Sequence, residues 1–340
     1  MSARRSHAPS ATDTEALFKP LGRARTLLIA VSGGPDSTAL LLMADEWARR
    51  RGRTRIEAAT VDHGLRPESA EEAKAVAALC ARLGVTHRIL QWKGAKPVSR
   101  LQERAREARY RLLVDHAKAI GADALLTAHH ADDQAETVLF RLLRGSGVAG
   151  LRGMELTTTR DGMTIARPLI GLKKRDLIAF AQARGAPFVD DPSNADPRFA
   201  RTRLRALLAQ LGEEGLDAEA LDRLARRAGE TEHALAHLTA EVEARLGADE
   251  AQGDSLDARA LYSTPIAIVQ RILSRRIAAA GGRDPSRIGL EKIERLAAGL
   301  RDALRERRAV GANVGGTLVR LTVKGRLTFA PEPPRKGGKR

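Results

Sequence analysis

Thr26-Leu-Leu-Ile-Ala-Val-Ser-Gly-Gly-Pro-Asp-Ser-Thr-Ala-Leu-Leu-Leu-Met43 decides how the chain is read. Its first part, Thr26–Val31, is a short β-prone run of the kind that forms a buried parallel strand. Gly33 and Gly34 follow at once, and Thr38–Met43 continues as a helix. Pro35 suits the first helical position, where its missing N–H would have had no partner. The stretch predicts strand, glycine turn and helix N-terminus, an anion site made by free N–H groups and the helix dipole. Ser32, Gly33, Gly34, Pro35, Asp36 and Ser37 are the expected cradle.

A Walker loop would place Lys before the Ser/Thr, to reach the outer phosphates. Here that residue is Asp36, an anion. A carboxylate beside a triphosphate is repelled unless Mg²⁺ sits between them. The plainer alternative is that Asp36 only complements the helix dipole. Ser32-Gly-Gly-Pro-Asp-Ser37 resembles the SGGxDS signature of the pyrophosphate-loop (PP-loop) ATPases. The resemblance implies an adenine nucleotide α-hydrolase-like fold and cleavage of ATP between its α and β phosphates, with Asp36 on Mg²⁺.

Outward from the loop, runs at 56–61, 86–92 and 124–128 read as further strands. Helices are expected at about 68–83, 99–120, from 129–133 to 143, and 173–184. Such alternation predicts an α/β, doubly wound parallel sheet. Ligands bind beyond the carboxyl ends of the strands of such sheets. That brings the Ser32 loop, Asp62-His63 and His129–Asp133 to one edge.

The expected organisation is a disordered tail at 1–20, an α/β domain at 21–211, and a smaller helical domain at 216–330. The last of these ends in a short β-hairpin, 317–323 with 326–329. A basic tail rich in Pro, Gly and Lys at 331–340 is expected to be disordered.

The 340 residues carry a formal charge of +16, which points to a polyanion, nucleic acid first. Aromatics are 3%, too few for extended base-stacking platforms. No apolar run approaches the roughly 20 residues of a membrane span. Residues 1–20 hold Arg4 and Arg5 without an apolar core, so a cytoplasmic protein is expected. Cys80 is the single cysteine, which excludes disulfides and Cys-rich zinc or iron–sulfur sites.

On the 99–120 helix, Glu103 and Glu107 stand within reach of Arg106 and Arg111, whereas Arg109 neighbours Ala105, Arg106, Leu112 and Leu113. A cation on such a face calls for a phosphate or carboxylate from elsewhere. Asp132, Asp133 and Glu136 crowd one helix start; the dipole favours them although they repel one another. The alternative for these acids is plain solvation, and for His129 and His130 packing in the core. Two His before two Asp also suit a divalent-metal phosphohydrolase, which would need further ligands, with His63 a candidate.

Longer motifs narrow the choice. His129-His-Ala-Asp-Asp-Gln-Ala-Glu-Thr137, Arg144-Gly-Ser-Gly147, Gly150-Leu151, Ala108-Arg109-Tyr110, Asp62-His63-Gly64-Leu65, Arg167-Pro168-Leu169 and Asp191-Pro192-Ser193-Asn194 are together similar to the tRNA(Ile)-lysidine synthetase family. Arg201 and Arg205 match as well, while Phe199 and Thr202 stand where the family usually carries Tyr and Asn. The match runs in order from about Leu27 to Arg205.

The resemblance implies an ATP-dependent C–N ligase. ATP would adenylate O2 of the wobble cytidine of a CAU-anticodon tRNA(Ile), and the ε-amine of L-lysine would then displace AMP. It implies that Asp36, Arg109, Asp133 and Glu136 carry the chemistry, that the Ser32–Ser37 loop and His63 hold the nucleotide, and that the helical domain contacts tRNA. A second copy of the chain is a further candidate partner, and no membrane is expected. The rivals are another PP-loop tRNA-modifying adenylating enzyme and a non-catalytic basic RNA-binding protein. Cys80 alone cannot serve a sulfur-transferring relative.

Overall fold

The protein's structure, a computed structural model, describes residues 8–64, 68–94, 96, 99, 101–189, 200–246, 255–282 and 288–332. These residues fall into two compact units. One comprises residues up to Arg144 together with Arg152–Ala225, the other Gly145–Leu151 together with residues from Arg226 onward.

The first unit is built on strand β1 (Thr26–Ala30), whose Leu27, Leu28 and Ile29 are fully buried. It pairs in parallel with β2 (Arg55–Asp62) on one side and β4 (Ala124–Leu126) on the other. β3 (Thr86–Gln91) extends the β2 side in parallel, and β6 (Met163–Ala166) extends the β4 side. β5 (Thr157–Arg160) closes the far edge antiparallel to β6, giving the order β3-β2-β1-β4-β6-β5. The doubly wound parallel sheet is therefore present, with an antiparallel edge strand that the sequence reading did not include. The signal was Asp161-Gly162, both at positive φ (49° and 77°), the pairing that a two-residue hairpin turn demands.

Parallel strands need crossover helices, and these are α2 (Pro35–Arg51), α3 (Glu68–Leu83), α4 (Leu101–Ala119) and α5 (Ala131–Leu143). Side chains of a strand alternate between faces, so Leu27 and Ile29 join α2, α3 and α7 (Lys174–Ala183) on one side of the sheet. Leu28 faces α4, among Tyr110, Leu113, Val114 and Ala117. A smaller cluster joins α5 to α8 (Ala200–Glu213) and to the start of α9 (Ala218–Leu246), through Val138, Leu139, Leu204 and Leu221.

The N-terminal expectation needs correction. Residues 11–18 form helix α1, closed by a capping box in which Ser10 Oγ accepts from Asp13 N and Asp13 Oδ2 accepts from Ser10 N. Phe18 is fully buried and stacks on Trp47, ring centroids 5.2 Å apart. The Trp47 contact outweighs the polar composition of this segment. Residues 1–7 lie outside the described residues, as do Leu65, Asp190–Phe199 and 333–340, with the motif and tail readings that fall on them.

The second unit contains α6 (Val148–Leu151), most of α9, α10 (Arg259–Tyr262), α11 (Ile266–Gly281) and α12 (Leu290–Arg305). The expected hairpin is there as β9 (Thr317–Leu321) and β10 (Arg326–Pro331), with Leu327 opposite Leu321. It forms the middle of a four-stranded sheet completed by β7 (Ser255–Asp257) and β8 (Val310–Val314). Gly315 and Gly316, both at positive φ, make the β8–β9 turn. The glycine-rich 145–153 segment contains α6.

Candidate active site

The chain leaves β1 for β2 on one side and returns to β4 on the other. That reversal opens a crevice at the carboxyl ends of β1 and β4, where open α/β sheets bind ligands. After β1, Gly33 turns the chain at φ +89°, and Gly34 is the N-cap of α2 with Pro35 as first helical residue. The loop curls round one hydroxyl. Ser37 Oγ donates to Gly34 O, accepts from Ser32 N, and lies 3.1 Å from Ser32 Oγ. Val189 N donates to Gly33 O, bracing the loop from outside. The loop and the first turn of α2 thus line the crevice, where helix-start N–H groups suit an anion.

After β4, His130 caps α5. Its N–H donates to Asp133 Oδ2 at 3.2 Å, and its Nε2 lies 3.4 Å from the same oxygen and 3.5 Å from Asp36 Oδ2. Nδ1 is 3.3 Å from Asp132 Oδ2, without the alignment of a full hydrogen bond. Burial opposes a charge on this ring, but Asp132, Asp36 and Asp133 outweigh it and raise its pKa to about 10. The imidazolium therefore ties the starts of α2 and α5 together. Its charge, with the N–H of Lys174 on the carboxylate, lowers Asp132 to about 2. His129 behaves oppositely. Burial, with Arg106, Arg167 and Arg109 nearby, drives it down to about 3 against the pull of Asp133, so it stays neutral beside Thr127 Oγ1.

A cavity of about 970 Å³ occupies the crevice, at the upper end of the range usual for small-ligand sites. Ser32, Gly34, Asp36 and Ser37 line one part of it, and His63, Arg109 and Asp133 are also on its wall. Gly33 and Pro35 shape the loop without lining the cavity. Glu136 stands back from the wall; it is buried, and its Oε1 accepts from Arg205 Nε of α8. His63 is half-buried and edge-on to Trp92; burial, then Arg109, lowers its pKa. Asp62 holds the turn before it, accepting from Gly64 N and Ser69 Oγ.

Asp36 Oδ1 is buried with no hydrogen-bond partner among the described residues. Among those residues no three His, Cys, Asp or Glu form a group that could hold a metal alone. A single unsatisfied carboxylate fits Mg²⁺, which takes one or two carboxylates and completes its shell with phosphates and water.

Sequence reasoning missed two features. Tyr110, which it quoted only within a motif, lines the cavity with its hydroxyl buried and without a hydrogen-bond partner among the described residues. The Glu136–Arg205 pair joins residues 69 apart, a separation no local pattern signals.

Residues 7–211 match the family model of the PP-loop domain. The chain is 44% identical to the tRNA(Ile)-lysidine synthase of a Bradyrhizobium species, over 97% of each chain. It is 49% identical to that of Methylobacterium nodulans over 93% of each chain, and 45% to that of Rhodopseudomonas palustris over 99% of each. The chain belongs to the tRNA(Ile)-lysidine synthase family.

Fold similarity reaches further. The U34-tRNA thiolase NcsA from Methanococcus maripaludis, described with its [4Fe-4S] cluster, superposes with a TM-score of 0.54 at 18% identity, covering 64% of this chain and 78% of that one. This member of the lysidine synthase family has only Cys80, a buried thiol that burial pushes up to about 11, so a Cys-held cluster is outside its means. No helix among the described residues is long and apolar enough to cross a membrane.

Proposed function

We propose that this member of the family joins L-lysine to C2 of the wobble cytidine of a CAU-anticodon tRNA(Ile), using ATP. The observation that carries the reading is Asp36, an acid with one buried oxygen unsatisfied, set in a glycine loop at the switch point of the sheet. In the first step O2 of the cytidine attacks the α-phosphorus, the Pα–O–Pβ bond breaks and pyrophosphate leaves. In the second the ε-amine of lysine attacks C2, and AMP departs with the C–O electron pair. The product base pairs with A, so the codon read changes from AUG to AUA.

Ser32, Gly34 and Ser37 cradle the pyrophosphate portion with their N–H and hydroxyl groups, in a loop shaped by Gly33 and Pro35. Asp36 would hold Mg²⁺, which when bound supplies positive charge against the triphosphate. His63, neutral, flanks the nucleotide. Arg109 neutralises charge growing on the phosphates. Asp133 and Glu136 position the lysine ammonium and take its proton. In support, Asp133 is on the cavity wall and Glu136 is a buried carboxylate on the same helix. The helical unit and its antiparallel sheet contribute tRNA contacts, in keeping with the chain's net charge of +16.

The test is incubation with ATP, labelled lysine and a CAU-anticodon tRNA(Ile). Labelled tRNA should form with AMP and pyrophosphate. Release of ADP and phosphate, or turnover without tRNA, would overturn the reading.

A further inference from the structure

Three guanidinium groups surround the ring of Tyr110, which is 3% exposed on α4. Arg106 lies 5.2 Å, Arg109 5.6 Å and Arg160 4.6 Å from the ring centroid. Arg106 stands one helical turn before Tyr110, whereas Arg160 reaches the ring from β5, the antiparallel edge strand. Only Arg109 lines the cavity; Arg106 is exposed, and the Arg160 side chain is 40% exposed. Positive charge therefore continues from the cavity wall onto the adjoining surface.

We infer that Arg106 and Arg160, continuing from Arg109, form a grip for successive phosphates of the RNA backbone beside the cavity. A guanidinium over an aromatic ring can also donate to phosphate oxygens, in pairs where the geometry allows. Phosphate is the chemistry recognised, and RNA is favoured over ATP as its source. The glycine loop already provides for the nucleotide's phosphates, and Arg106 and Arg160 lie outside the cavity wall. Arg160 also approaches Asp161 at 3.8 Å, a long surface contact that a phosphate would readily replace.

This inference rests on the proposed RNA substrate. It is tested by measuring tRNA affinity across a salt series, with KM for tRNA and for ATP, in the full chain and in Arg106→Gln, Arg160→Gln and Arg160→Lys. Each lost phosphate contact lowers the slope of log K against log salt by about one, so each Gln variant should do so. KM for tRNA should rise several-fold with each, and KM for ATP should not move. Arg160→Lys keeps the charge and should keep the slope. A Gln variant with wild-type slope and tRNA KM overturns the grip, as does a loss of slope in Arg160→Lys. A rise confined to the ATP KM overturns it too, by moving these residues to the nucleotide. A wild type without salt-dependent tRNA binding removes the RNA substrate itself, and the grip with it. A wild type that binds steeply, matched by its variants, removes the grip alone.

Discussion

Asp36→Asn separates a catalytic acid from a structural one. Asn keeps the shape of the side chain and is tolerated at helix starts. The charge it removes lies 3.5 Å from His130 Nε2, where the two side chains are 25% and 4% exposed. Coulomb's law at that separation gives about 1 kcal/mol in a water-like medium and about 5 kcal/mol at an effective dielectric near 20. The net loss falls at the lower end, because Asp132 and Asp133 remain 3.3 and 3.4 Å from the imidazolium. The helix dipole adds roughly 0.3–1 kcal/mol. A loss of about 1–2 kcal/mol is therefore expected, or roughly 2–8 °C in melting temperature. Pyrophosphate release should fall far more, by on the order of 100-fold, equivalent to about 2.7 kcal/mol of barrier. Melting curves and pyrophosphate release, measured side by side at saturating ATP and tRNA, decide the matter. Near-normal release with the same thermal loss would mean that Asp36 serves only the helix and His130.

Three other outcomes are expected. His130, raised to about 10 from its ordinary 6.5, binds a proton in the folded protein that the unfolded chain lacks between those values. Its stabilisation is complete below pH 6.5 and lost as pH rises through about 10. The melting temperature should thus fall from pH 7 to 10, and less steeply in His130→Asn; equal slopes would contradict the ion-pair account. Gly153 has φ +70°, and a Cβ there would lie 2.5 Å from Gln134 Oε1, which accepts from Met154 N while Gln134 Nε2 donates to Met154 O. Gly153→Ala should cost about 2–4 kcal/mol in urea unfolding, and an unchanged midpoint would show that the amide moves aside freely. Arg205→Gln leaves the buried Glu136 carboxylate poorly compensated; because Arg205 is 39% exposed and screened, the loss should be about 1–2 kcal/mol. That variant should raise KM for lysine without raising KM for ATP, and an unmoved lysine KM would count against the role given to Glu136.

The residues alone determined the succession of β1 to β4 with α2 to α5 in the first unit, and the place of its glycine loop. Both are local properties. Thr26–Val31 announces a strand by composition, Gly33 and Gly34 permit the turn, and Pro35 opens the helix, all within a dozen residues. The edge of the sheet on which Ser32, His63 and Asp133 meet also followed, because a parallel alternation leaves loops after strands on one side. Two turn pairs, Asp161-Gly162 and Gly315-Gly316, were legible and passed over, since β5 carries no apolar residue to mark it as a strand and Gly311 and Asn313 interrupt β8.

Tertiary structure decided the rest. Ser10-Ala-Thr-Asp13 spells a capping box, yet α1 is held by Phe18 stacking on Trp47, a contact made across the fold. Nothing in the spacing of Asp36 and His130 says that their side chains come within 3.5 Å, or that Glu136 meets Arg205. Protonation of His130 and neutrality of His129 follow from the same cause. The two rings are consecutive in the chain, but one lies among three carboxylates and the other is buried with arginines nearby. Burial and charge separation are through-space quantities, and only the folded chain sets them.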